Sequence, residues 1–277
     1  MVTVERKFAK EFVSVIAPLK LHRRFNGNRA VDHVYHFILV ENGTLRATNG
    51  EVQVTANAPV IGETAVIPYA AMKEAVADKT GADLHVGADG VLRTAITHPY
   101  FYAVPAPYEI PEIGIDGYEK EVLSLPAGEL AEAGELAGRI VDEKEAGVFC
   151  FGLIRCREEK AVLVATNRQF LVEVELPGRT LHAGDILVPP AALSTFAKAV
   201  KAFKIERATL SVVLTGKDLH PGLVIFRDEG ERVSVKARAG AGVYPEHRTV
   251  FPGGSMMTVE PNPELIKAVE AAGKKCR

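Results

Sequence analysis

Tryptophan is absent from the 277 residues, and cysteine, with 3 copies, and methionine, with 4, are scarce. Cys150, Cys156 and Cys276 are too few and too irregularly placed for a disulfide framework, and no two of them form a CxxC pair. A reducing, cytoplasmic compartment is therefore expected. No stretch approaches the roughly 20 consecutive apolar residues needed to cross a bilayer. Met1 to Ala17 carries Lys7, Lys10 and Glu11 among its apolar positions, unlike a signal peptide. No membrane partner is expected. Neither charge is in excess: 33 Lys plus Arg stand against 35 Asp plus Glu, a formal net charge of -2. Attraction to nucleic acid must come from a local patch.

The chemical inventory of an enzyme is also missing. His33 and His36 have HxxH spacing, but no acidic residue completes an HExxH arrangement, and Val34 to Val40 reads as a strand. Gly216-Lys217 lacks the upstream glycine and the following Ser or Thr of a phosphate-binding loop. Cys150, between Phe149 and Phe151 on an apparent apolar strand, reads as a buried structural thiol. No Gly-rich dinucleotide fingerprint and no GxSxG occurs. Neither catalysis nor a metal or cofactor is expected.

What the chain does contain is itself, twice. With 47% hydrophobic and 25% charged residues, it has the composition of a globular protein and length for two ordinary domains. Leu45-Arg46-Ala47-Thr48-Asn49 followed by Glu51-Val52-Gln53-Val54 is echoed by Leu163-Val164-Ala165-Thr166-Asn167 followed by Gln169-Phe170-Leu171-Val172. Both predict a hairpin. Each hairpin is preceded by a candidate helix and followed by an apolar strand running into proline and a second helix. Val66-Ile67-Pro68-Tyr69 and Leu187-Val188-Pro189-Pro190 mark those passages, proline being tolerated in a first helical turn. Short strands then follow, within 83–104 and 208–238.

Helical periodicity supports the same order. Phe8, Phe12, Val15, Ile16 and Leu19 recur at helical spacing, with Lys7, Lys10, Glu11 and Ser14 off the stripe, and Pro18 is expected to end that helix. Leu193, Phe196, Val200 and Phe203 form a clearer stripe, with Lys198, Lys201 and Lys204 outside it. A linker is expected near Ile113 to Tyr118, after the proline-rich Pro105 to Pro111. The expected units are 1–117, 118–253, and a tail of 254–277, where Pro261-Asn262-Pro263 precedes a helical run.

Val243-Tyr244-Pro245-Glu246-His247-Arg248-Thr249-Val250-Phe251-Pro252 resembles the aromatic-Pro-acidic-x-Arg-x-Val-x-Pro stretch that ends the second domain of bacterial DNA polymerase III beta sliding clamps. Leu163 to Asn167 is similar to that family's apolar-Ala-Thr-Asp strand end, and Ile186-Leu187-Val188-Pro189 to its helix entry. The resemblance covers nearly the whole chain, best over 122–252. It implies an α+β fold of tandem clamp domains, each with two helices packed on curved antiparallel sheets, and a tail like the start of a third.

The implied function is a processivity factor that encircles double-stranded DNA and tethers DNA polymerase and clamp-loader peptides. Two domains rather than three fit three assemblies: a homo-oligomer closed as a trimeric ring, a shortened chain, or a diverged adaptor that binds proteins without ringing DNA. The resemblance makes Lys7, Lys10, Arg23, Arg24, Lys73, Lys198, Lys201 and Lys204 candidates for phosphate contact, Arg23 and Arg24 lying closest to a DNA-touching family position. Each lysine is equally what a solvated helix face carries. Between Ala127 and Ile140, Glu129, Glu132 and Glu135 outnumber Arg139, against the scheme. Thr166, Leu171, Pro245 and Val250 match positions of the family's peptide cleft, although Arg168-Gln169-Phe170 stands where the family has Gly-His-Arg. The last three also suit a core.

Overall fold

The structure is a computed structural model that describes residues 2–19, 21, 34–62, 64–77, 83–86, 92–93, 110–142, 145–158, 160–216 and 219–246. It opens on strand β1 (Val2–Val4) and helix α1 (Arg6–Ile16). The helix forms because Ala9, Phe12, Val13, Val15 and Ile16 make one buried stripe. Arg6 fixes its first turn, the backbone N–H donating to Asp83 Oδ1 at 3.0 Å and the guanidinium to the Val76 carbonyl at 3.2 Å. As expected, Pro18 ends the α-helix: the chain tightens into a 3-10 turn, Ala17–Leu19.

The expected strand from Val34 begins only at Phe37, because Val34–His36 forms another 3-10 turn. There follow β2 (Phe37–Glu41), β3 (Thr44–Thr48), β4 (Val52–Asn57), β5 (Val60–Ile61), β6 (Ala65–Pro68), α2 (Tyr69–Ala77), β7 (Leu84–Val86) and β8 (Leu92–Arg93). The second half brings β9 (Tyr118–Pro126), α3 (Ala127–Ile140), β10 (Gly152–Cys156), β11 (Ala161–Thr166), β12 (Leu171–Leu176) and β13 (Arg179–Thr180). It closes with β14 (Gly184–Val188), α4 (Pro190–Phe203), β15 (Arg207–Thr215), β16 (His220–Asp228) and β17 (Val233–Arg238).

Strand order repeats element for element. The first half pairs its strands as β5-β1-β7-β8 and β4-β3-β2-β6; the second contains β13-β9-β15-β16 and β12-β11-β10-β14, every pairing antiparallel. β17 then joins the halves, pairing with β16 on one side and with β4 on the other, in the register Val233↔Ala56, Val235↔Val54 and Ala237↔Val52. Among the described residues the result is one sheet of 9 strands, with two sheets of 4.

One core runs beneath both halves, containing Phe12, Ile16 and Met72 from the first and Phe196 and Phe226 from the second. The Phe196 and Phe226 rings stack at 5.1 Å. The helices lie side by side, α4 packing against both α3 and α1, and α1 also against α2. Phe8 and Phe203 meet between α1 and α4 with ring centroids 5.3 Å apart. α3 and α4 approach closely because α3 is built of small residues: a Cβ on Gly134 would lie 3.3 Å from Leu193 Cβ, and one on Gly138 only 2.7 Å from Ser194 Oγ.

The segment between the halves is a strap rather than a loose linker. Alternation along the strands puts Phe37, Leu39, Leu223 and Ile225 on the face away from the main core. There Ile110 packs with Phe37, Leu39 and Val66, and Ile113 with Val213, Leu223 and Ile225. Between them Glu112 reaches Arg46 of β3 at 2.9 Å and Lys236 of β17 at 3.0 Å. The Ile113 N–H donates to Gln53 Oε1 at 2.8 Å.

Both repeats fall in one compact unit, Met1–Val243, and Tyr244–Arg277 forms a second. The expected tail helix of 254–277 lies outside the described residues. Cys150 is not on a strand: Gly147, at φ 70°, starts a 3-10 turn, Gly147–Cys150, and the half-buried Cys150 Sγ sits 2.9 Å from the Gly147 carbonyl. The buried strand thiol is Cys156, pushed up to about 12 by burial and then by the nearby Asp185 carboxylate.

Candidate functional site

Two groups of residues carry the functional question. The first is the solvent side of the helical layer. Lys7 and Lys10 on α1, Lys73 on α2, Lys198 and Lys201 on α4, and Lys204 at its end are all exposed. Lys204 ends α4 in the left-handed conformation, at φ 50°. Arg23 and Arg24 lie outside the described residues. Lys201 pairs with Glu135 of α3 at 2.5 Å; the other five described lysines form no ion pair with a described residue.

Lys7 lies in the first turn of α1. α1 has no acidic residue in its own first turn, but Glu5 at its N-cap and Asp83, which accepts the Arg6 N–H, bring carboxylates to its partly positive end. Arg6 beside it is engaged by Asp83 and by the Val76 carbonyl of α2, whereas Lys7 forms no ion pair or hydrogen bond with a described residue. α3 is the reverse case, with Glu129 in its first turn and Arg139 in its last, as the helix dipole prefers. Glu129 and Glu132 are exposed and Glu135 half-buried.

The second group is the expected peptide cleft. Thr166 and Leu171 face each other across the end of the β11–β12 hairpin. Thr166 is buried, and its hydroxyl serves the turn, donating to the Phe170 carbonyl at 2.7 Å and accepting the Arg168 N–H at 3.0 Å. Asn167 Oδ1 accepts from the N–H groups of Gln169 and Phe170 at 3.1 and 2.8 Å. The first repeat builds the same turn: Thr48 Oγ1 donates to the Val52 carbonyl and accepts from Gly50, while Asn49 Oδ1 accepts from Glu51 and Val52.

Leu171 is half-buried. Pro245 is exposed and belongs to the short second unit, and Val250 lies outside the described residues. Around the Thr166–Leu171 end stand side chains that sequence reasoning did not assign. Phe170 is 59% exposed. The Arg168 guanidinium lies 5.0 Å from the Phe149 ring centre and pairs with Glu145 at 3.1 Å. The only signal available for them was the Arg168-Gln169-Phe170 departure from the resembled pattern.

Among the described residues no three His, Cys, Asp or Glu side chains gather as a metal site, and no helix is long and apolar enough to cross a membrane. No protein-family model and no curated protein matches the sequence. Solved structures do match. The DNA polymerase III beta subunit of Thermotoga maritima is 16% identical, with 91% of this chain and 67% of that one covered, at a TM-score of 0.70.

This is the sliding-clamp fold. The DNA polymerase sliding clamp of Caulobacter crescentus superposes over 91% of this chain and 68% of its own at a TM-score of 0.69 and 17% identity. The Bartonella birtlesii clamp, solved bound to griselimycin, covers the same shares at 0.68 and 17%. The chain thus spans about two thirds of each clamp.

Proposed function

We propose that the chain is a non-enzymatic, cytoplasmic sliding-clamp processivity factor, made of clamp domains 1–117 and 118–253 with a tail of 254–277. It encircles duplex DNA without sequence specificity and tethers polymerase and loader peptides. The observation that carries this is the side-by-side packing of α1 and α4, one from each repeat, with Lys7, Lys10, Lys198 and Lys201 exposed on them. A row of lysines on one helical layer supplies the diffuse attraction to phosphates that a sliding ring needs, with no base readout.

Ring closure by repetition is supported by the internal junction. β17 of the second repeat pairs with β4 of the first. β12 holds the position of β4 in the second repeat and, among the described residues, stands at the end of its sheet. A strand from a second copy added there would repeat the internal contact and propagate head to tail, so that three chains would supply six domains. The partner cleft is expected at the Thr166–Leu171 turn, and the resemblance alone adds Pro245 and Val250 as candidate contacts.

A second reading, a clamp-like adaptor that binds proteins without encircling DNA, is favoured by the acidic exposed side of α3. Loading the protein on circular duplex and then linearising it separates the two. A ring is retained on the circle and lost from the linear form, whereas topology-independent retention, or a stable monomer in solution, overturns the encircling function.

A further inference from the structure

We infer that Glu135 competes with DNA phosphate for Lys201 and so restrains the grip of the helical layer on DNA. This deepens the encircling function proposed above and rests on it. Lys201 is the one described lysine of the layer held by a carboxylate, its Nζ 2.5 Å from Glu135 Oε1. Lys198, one turn earlier on α4, forms no such pair with a described residue.

The helix that carries the carboxylate is held in place by packing. Gly134 beside it abuts Leu193, and Gly138 one turn on abuts Ser194, so the backbone of α3 is pressed against α4 on both sides of Glu135. The pair is also open to exchange, since the Lys201 side chain is 63% exposed and that of Glu135 33%. An exposed pair of this kind is weak, whereas a duplex presents phosphates at high density. As DNA approaches, Lys201 leaves the carboxylate for a phosphate, and the binding energy falls short by the pair that was broken. Lys198 gives up nothing. Glu135 is therefore a positioning residue that holds one contact in reserve, a property suited to a surface that must slide.

The test titrates the full chain onto a labelled linear duplex by fluorescence anisotropy across a KCl series, for the wild type, Glu135→Gln, Lys201→Ala, the double variant and Lys198→Ala. Glu135→Gln should bind about two- to five-fold more tightly at low salt. Its plot of log K against log salt should keep nearly the wild-type slope, because Lys201 reaches a phosphate in both proteins and only the cost of breaking the pair differs. In the Lys201→Ala background the same substitution should do nothing. An unchanged affinity in Glu135→Gln overturns the inference. So does a gain that persists without Lys201, since that would be a general effect of removing negative charge. Lys198→Ala tests the underlying function separately: it should weaken binding and flatten the salt slope, and if it does neither, DNA attraction by this layer fails and the inference with it.

Discussion

α1 and α3 occupy the same place in the two repeats, each following its repeat's first strand, and they carry opposite charge. α1 sets Arg6, Lys7 and Lys10 against Glu11; α3 sets Glu129, Glu132 and Glu135 against Arg139. Their buried sides remain alike in kind, Ala9, Phe12 and Ile16 in one and Ala127, Leu130 and Ala137 in the other. Duplication has preserved what faces the core and released what faces solvent, because a core position is held by packing while an exposed charge costs little to change. The two hairpin turns teach the same lesson. Their hydrogen bonds are identical, yet the left-handed position is Gly50 in one and Arg168 in the other, at φ 88° and 68°.

The sharpest way to break this equivalence is to empty the shared core from each side. Phe12→Ala and Phe196→Ala should each cost about 3–5 kcal/mol and move a single urea transition. Two separate transitions would mean that the halves are independent bodies. Next come the turn hydroxyls: Thr48→Val and Thr166→Val should each lose about 0.5–1.5 kcal/mol, since the Gly50 and Arg168 N–H groups lose their acceptor while the Val52 and Phe170 carbonyls keep the Asn49 and Asn167 N–H groups. If Thr166→Val cost nothing in denaturation, its hydroxyl would belong to a binding partner instead.

Gly50→Ala should be destabilising by roughly 1–2 kcal/mol, from the left-handed backbone and crowding of a methyl against Tyr35. That methyl would lie 3.1 Å from the Tyr35 ring. Arg168→Gly should change stability by less than about 1 kcal/mol, because relief of the same backbone penalty is offset by loss of the contact with Phe149. Equal melting temperatures for Gly50→Ala and the wild type would show that the two turns are not under the same strain.

The smallest effect concerns the strap. Burial opposes ionisation of Glu112, but Lys236, through its hydrogen bond and charge, and then Arg46 hold the carboxyl below the ordinary glutamate range. A depressed folded pKa makes the contribution complete above the unfolded value and removes it as pH falls through the folded one. Because Glu112 is half exposed, the whole effect should be under about 1 kcal/mol. Glu112→Gln should flatten the melting temperature against pH in the acid range; an unchanged profile would leave the strap to Ile110 and Ile113 alone.

Much of the fold was legible because it rests on local rules. Pro18 ends α1, Pro68 and Pro190 mark the passage into α2 and α4, and the Thr-Asn turns announce the duplication. The β17–β4 pairing was not legible, since alternation makes a strand without naming its distant partner. Ile110, Glu112 and Ile113 sit among prolines and glycines with no period to show that they are anchored. The lysines stood out by lying off an apolar stripe. That Glu135 would capture Lys201 and not Lys198 depends on how closely α3 approaches α4, a distance set by Gly134 and Gly138. For the cleft, Thr166 was found for its motif, but its turn role shows only once Phe170 and Arg168 are placed.

The seam between β4 and β17 has a consequence for the chain's birth. While a ribosome adds the about 180 residues separating these strands, at roughly 5–20 residues per second, the outer rim of β4 waits some 10–40 s with its amide and carbonyl groups unmatched. A nascent first half is thus a template for any extended peptide nearby. Its safety during synthesis depends on chaperone cover or on speed.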